Sequence, residues 1–152
     1  KKFTNEDVAY HVEMCRKYEI KNLVLMFSGH PTETLGDHMK TLEMFKRFKR
    51  YAAYVTITGL SVQNASIIDD TPLAHWAMEN RLEYNQTGVR GDNKFWYNHK
   101  NPTLTLSERI RRQLEVYETA IAMGWPVNSM TSSLKYMKIL LTQAKKENFA
   151  YF

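Results

Sequence analysis

Cysteine is all but missing from this chain: Cys15 stands alone in 152 residues. No internal disulfide can form, so no covalent staple holds the fold. Such usage suits a reducing compartment, and a cytoplasmic location is expected. A lone thiol also excludes a paired-cysteine zinc site. No apolar run approaches the ~20 residues of a bilayer-spanning helix. The opening Lys1-Lys2-Phe3-Thr4-Asn5-Glu6 has no apolar segment behind it that would read as a secretory signal. The first residue is not Met, as expected of a fragment or a processed chain. There is no P-loop, Gly-x-Ser-x-Gly elbow, His-Glu-x-x-His pair or dinucleotide-type glycine spacing, and no internal repeat or low-complexity tract.

What is present suits one domain with a real core, given 152 residues of which 43% are hydrophobic. The charge is modestly basic, with 21 Lys and Arg against 16 Asp and Glu. The basic clusters at 46–50 and 109–112 are each interrupted by apolar positions. They are read as solvated helix faces rather than a nucleic-acid surface.

The densest information lies at 22–48. Leu23 to Phe27 is continuously apolar, the pattern of a strand covered on both faces. Gly29-His30-Pro31-Thr32-Glu33-Thr34 follows. Gly29 allows a close approach or an unusual backbone angle, and Pro31 keeps the residue before it out of helical angles. Thr34 with Asp37 three residues on predicts a helix cap. Leu35, Met39, Leu42, Phe45 and Phe48 then recur at helical spacing. Strand, tight loop and helix form one unit, and in parallel α/β architectures the loop after such a strand lies where ligands bind.

Elsewhere the pattern predicts a helix over 4–18 capped by Thr4, with Val8, Val12 and Cys15 on one side. A second strand is expected at 54–58, continued by Leu60-Ser61-Val62 if Gly59 does not break it. Residues 63–70 read as a loop, and Thr71-Pro72 as the start of a further helix. The stretch 81–104 is irregular and rich in turn formers, with Phe95-Trp96-Tyr97 embedded as a lid or a pinned edge. A helix starts at Thr105, runs through Leu106, Ile110, Leu114, Tyr117 and Ile121, and closes at Gly124. A last helix is expected over 132–147.

The loop Gly29-His30-Pro31-Thr32-Glu33-Thr34 with its flanking strand and helix resembles the fifth strand unit of radical S-adenosylmethionine (radical SAM) enzymes, which often carry Gly-x-Pro-Gly-Glu-Thr there. Residues 4–20 resemble the helix before that strand, and Asp70-Thr71-Pro72-Leu73 resembles the family's Gly-Thr-Pro-Leu. Order and spacing agree over about 1–80, and the nearest resemblance is to members with an upstream cobalamin-binding domain. The resemblance implies an α/β fold: the C-terminal portion of a partial (β/α) TIM-like barrel at 1–80, then an irregular aromatic segment at 81–104 and a helical C-terminal extension at 105–152. It implies an enzyme that reductively cleaves S-adenosylmethionine for radical chemistry or methyl transfer, using a 4Fe-4S cluster, an electron donor and in some members cobalamin. The family's Cys-x-x-x-Cys-x-x-Cys is not here, so the cluster would be held outside these residues, and this portion alone would be inactive. Thr32 also stands where the family usually has Gly.

Under that resemblance Phe27 packs on the adenine and Gly29 lets backbone approach; core packing and a plain turn are the other readings of the two. Glu33 either joins the cofactor site or, as favoured here, organises the loop at the positive end of a helix dipole. His30 suits proton transfer or is an exposed loop histidine, and with Thr32 it is placed at the substrate pocket. Gln63 would bond the cofactor and Asn64 the substrate, or both are turn residues. A rival reading is a non-catalytic module in which Phe95-Trp96-Tyr97 and the Arg-rich helix grip a phosphate-bearing partner. Another is a different TIM-barrel enzyme.

Overall fold

The computed structural model describes residues 4–20, 24–54, 60–64, 67–68, 70–84, 96–125, 135, 138–139 and 141–142. Helix α1 spans Asn5–Lys17, strand β1 Val24–Ser28 and helix α2 Leu35–Arg47, followed by a 3-10 helix at Lys49–Tyr54. Strand β2 is Leu60–Asn64, helix α3 Pro72–Glu79, strands β3 and β4 are Glu83–Tyr84 and Trp96–Tyr97, and helix α4 is Leu106–Ala122. Among these residues no helix is long and apolar enough to cross a membrane.

The helix starts follow local chemistry. The hydroxyls of Thr4 and Thr34 accept from the amides of Asp7 and Asp37, whose carboxylates accept in return from the threonine amides. Thr71 precedes Pro72, and Thr105 accepts from the Glu108 amide. At the far end of α4, Gly124 turns into positive φ and the Trp125 amide bonds back to the Ala120 carbonyl.

Strands β1 and β2 are parallel neighbours in a register that runs from Val24 beside Leu60 to Ser28 beside Asn64. The chain between them passes through α2, so this is a βαβ unit. Of the strand expected at 54–58, Tyr54 belongs to the 3-10 helix and 55–59 lie outside the described residues, while the expected continuation Leu60-Ser61-Val62 lies in β2. Helical turns continuing past α2 override the β propensity of Tyr54, because strand propensity reports fit to neighbours rather than intrinsic backbone preference. Gln63 and Asn64 therefore close β2 instead of starting a loop.

Helix α4 packs against β1, β2 and α2. Its Leu106, Ile110, Leu114, Val116, Tyr117 and Ala120 share one core with Ala9 and Val12 of α1 and Leu42 and Phe45 of α2. A second cluster gathers Ile67, Ala74, Ala77, Leu82, Trp96 and Leu104. The buried rows are turned from those expected. Ala9 replaces Val8 in α1, His38 joins Leu42 and Phe45 in α2, and Leu35, Met39 and Ile121 are exposed. On β1, Met26 packs against the core and Ser28 is buried, whereas Leu25 and Phe27 are 65% and 74% exposed. The expectation of a strand covered on both faces is corrected. Within this chain helices cover one face and leave the alternate residues open, as the two-residue period of a strand requires. Most of the expected helix at 132–147 lies outside the described residues.

Candidate functional site

The loop leaving β1 is held by a distant segment. Gly29 turns at φ +72°, and its N–H donates to Glu33 Oε2 at 2.7 Å. The Glu33 amide donates to the His30 carbonyl at 2.7 Å, closing the turn around Pro31. From 67 positions further along the chain, buried Asn98 donates through Nδ2 to the Pro31 carbonyl at 2.9 Å. Asn101 donates to the Glu33 carbonyl at 3.1 Å. Arg112 reaches in from α4, donating from Nη1 to Glu33 Oε1 at 2.9 Å and to the Thr34 carbonyl at 3.2 Å. Loop carbonyls and amides that would otherwise bind water are thus bonded to protein.

Arg109 supports the loop from below. Its guanidinium carbon sits 3.8 Å from the centre of the Trp96 ring, and Nη2 donates to the Trp96 carbonyl at 2.9 Å. Burial pushes this guanidinium down to about 9, still charged at neutral pH. A desolvated cation over an indole gains about 2 kcal/mol, which offsets part of that cost. The reading of 109–112 as a solvated helix face is overturned, since Arg109 is 0% and Arg112 4% exposed. Only Arg111 of the three keeps to the outer side, where it clasps Glu108 at 2.7 and 2.8 Å and Glu115 at 2.8 Å. Arg112 Nε donates to the same Glu108 at 2.9 Å. Hydrogen bonds from Arg111 lead those that outweigh desolvation and hold the Glu108 carboxyl down at about 2. Burial opposes the charge of Arg112, yet its bonds to Glu108 and Glu33 tighten its proton overall.

The expected site residues converge on the carboxyl end of the parallel pair. Phe27 lies in register with Gln63, and Ser28 with Asn64. Gly29 is buried, and His30 and Thr32 are exposed on the loop. The Thr32 amide donates to His30 Nδ1 at 3.3 Å and the Thr32 hydroxyl lies 2.9 Å from that nitrogen, while the His30 ring tilts toward Trp76 with centroids 6.4 Å apart. With Nδ1 accepting, a neutral ring carries its proton on Nε2. Glu33 spends one carboxylate oxygen on Gly29 and the other on Arg112, so it organises the loop. The close approach at Gly29 is to the stem of Arg109, whose Cγ lies 2.9 Å from where a Cβ would stand. An apolar cavity of about 240 Å³ lies elsewhere, between Val8, Val12, Leu25, Met44, Phe48 and Trp125, and holds none of the expected site residues.

Asn98, Asn101, Arg109 and Arg112 were missed as loop anchors. The available signal was the row Leu106, Arg109, Arg112, Val116, which places both arginines in line with apolar residues three or four apart. His38 was missed too. It is buried on the Leu42 and Phe45 row, with Nε2 3.0 Å from Glu115 Oε2.

No protein-family model, curated protein or solved structure matches this chain. Chemically, the carboxyl end offers an exposed aromatic ring, a rigid turn and two exposed polar side chains. That set can stack on a planar ligand and hydrogen-bond at its edge. It does not suit an iron-sulfur cluster: the one cysteine, Cys15, is buried in α1 with its Sγ 3.5 Å from His11 Nε2.

Proposed function

We propose that this chain forms one wall of the adenosyl-binding pocket of a radical SAM enzyme whose cluster is held by residues outside this sequence. The observation that carries the reading is the open face of β1. Helices cover the Met26 and Ser28 side, and Phe27 stands 74% exposed on the other, beside the end of β2 and at the root of the Gly29–Thr34 loop. In a (β/α) barrel, helices coat the outside and strands turn alternate residues inward, with ligands at the carboxyl ends. An exposed phenyl ring there is a stacking platform for adenine. Gln63 and Asn64 close the neighbouring strand at the same end, where polar side chains would meet ribose, methionyl group or substrate.

The cluster, reduced by an electron donor, would supply the electron that cleaves S-adenosylmethionine. The residues of this chain bind, orient and shield. His30, exposed next to Thr32, is the group placed to exchange a proton with substrate. The reading as a phosphate-gripping module loses support, because Trp96, Arg109 and Arg112 are buried and engaged with the protein's own loop.

The test uses the polypeptide encoded by the whole reading frame, reduced under anaerobic conditions. It should carry a three-cysteine motif, bind S-adenosylmethionine and release 5′-deoxyadenosine or a methylated product. Phe27→Ala should weaken S-adenosylmethionine binding by about 1–3 kcal/mol, the worth of one base–aromatic stack. Its melting temperature should barely change, since the ring is exposed. A reading frame without three such cysteines, or undiminished binding by Phe27→Ala, would refute the assignment.

A further inference from the structure

We propose that Arg112 is a positioning residue for the ligand loop, acting through Glu33 on the backbone amide of Gly29; the inference rests on the reading of that loop as part of an S-adenosylmethionine pocket. A single guanidinium, its side chain 4% exposed, holds the C-terminal end of the loop directly and its first residue through Glu33. Nη1 donates to Glu33 Oε1 at 2.9 Å and to the Thr34 carbonyl at 3.2 Å, and Glu33 Oε2 takes the Gly29 N–H at 2.7 Å. Nε donates at 2.9 Å to Glu108, one turn back on α4. A continuous chain from Glu108 through Arg112 and Glu33 to Gly29 therefore ties α4 to the first residue after β1. Thr34 caps α2, so the same guanidinium fixes the spacing between the strand's exit and the next helix's entry.

A buried ion pair is a poor way to gain net stability, because desolvation consumes much of the attraction. What this pair provides is geometry. The amides of Gly29 and Glu33 and the carbonyls of His30, Pro31, Glu33 and Thr34 are all bonded within the protein. On the loop that follows exposed Phe27, the exposed side chains are those of His30, Thr32 and Thr34, the last engaged in capping α2. A loop ordered before the ligand arrives does not charge its ordering entropy against binding. Removing the tie from α4 should therefore show as lost affinity even though Arg112 does not touch the ligand.

The experiment compares wild type, Arg112→Met, Arg112→Lys and Arg111→Met in the full-length protein. It measures S-adenosylmethionine affinity by titration calorimetry, thermal stability, and amide exchange across the Gly29–Thr34 loop. Arg112→Met should bind about tenfold more weakly, as expected when a support outside the contact shell lets a site shift, and exchange at Gly29 should accelerate. Arg112→Lys keeps a cation opposite Glu33 and should recover part of the affinity; if the methionine variant does not fold, the lysine variant carries the comparison. Arg111→Met breaks the neighbouring clasp on Glu108 and Glu115 and should keep its affinity within about twofold. Equal affinity in wild type and Arg112→Met, or an equal loss in Arg111→Met, would overturn the proposal. If wild type does not bind S-adenosylmethionine, the pocket reading fails. Loop exchange then judges Arg112 separately: faster exchange in Arg112→Met upholds its hold on the loop, and unchanged exchange removes it.

Discussion

At position 29 an added methyl group would lie 2.9 Å from Cγ and 3.1 Å from Cδ of Arg109, on a backbone held at φ +72°. Both features penalise any side chain. Left-handed angles cost about 1–2 kcal/mol for a non-glycine residue, and overpacking a fitted contact costs about 1–3 kcal/mol. Gly29→Ala should destabilise the protein by about 2–5 kcal/mol, read as a lowered urea midpoint with an unchanged slope. The glycine itself was visible in the sequence. Its partner was not, because Arg109 is 80 positions away and arginine on a helix is ordinarily solvated. Asp70 is the complementary case. It occupies φ +61° just before Thr71-Pro72, and aspartate tolerates that left-handed region better than most residues.

At the scale of elements, α4 does most of the organising. One face carries apolar residues into the shared core, a second carries Arg109 and Arg112 to the loop, and Glu108, Arg111 and Glu115 lace its outer side. That lacing has a pH signature. Glu108 is held at about 2 against an ordinary 4.5, with hydrogen bonds from Arg111 the leading stabiliser of its charged form. Glu115 is also lowered: burial opposes its charge, but bonds from His38 and Arg111 prevail. A depressed carboxylate gives its full stabilisation above the unfolded value and loses it as pH falls through the folded one. Urea midpoints should therefore fall between pH 4.5 and about 2, and Glu108→Gln should flatten that fall while lowering the midpoint at pH 7. An unchanged profile in Glu108→Gln would show that other carboxylates dominate. The capping threonines that begin α1, α2, α3 and α4 were all legible, since a cap depends on residues within one turn. The extension of β2 through Gln63 and Asn64 and its register beside β1 were not, since a strand is set by what it pairs with.

On the scale of the molecule, the described parallel sheet has two strands, covered by helices on one face and open on the other at Leu25 and Phe27. Large apolar side chains next to strand edges invite association. The 152-residue chain by itself should self-associate at micromolar concentration, as measured by light scattering after gel filtration. Phe27→Lys should shift it toward monomer with little change in melting temperature. A wild-type chain that stays monomeric would show that this face needs no cover.

The sequence by itself determined what is local: the helix caps, the tight Gly29-His30-Pro31 turn after a short apolar strand, the lone thiol, and the motif order behind the radical SAM resemblance. Each depends on neighbours within a few residues, or on their absence. Only the tertiary structure decided that Arg109 and Arg112 are buried, that Asn98 and Asn101 bond the loop's carbonyls, and that Leu25 and Phe27 face outward. Those outcomes depend on which surfaces meet across some 70 to 80 residues of chain. A charged side chain is worth burying only where a fixed partner awaits it, and no pattern along the chain reveals that partner.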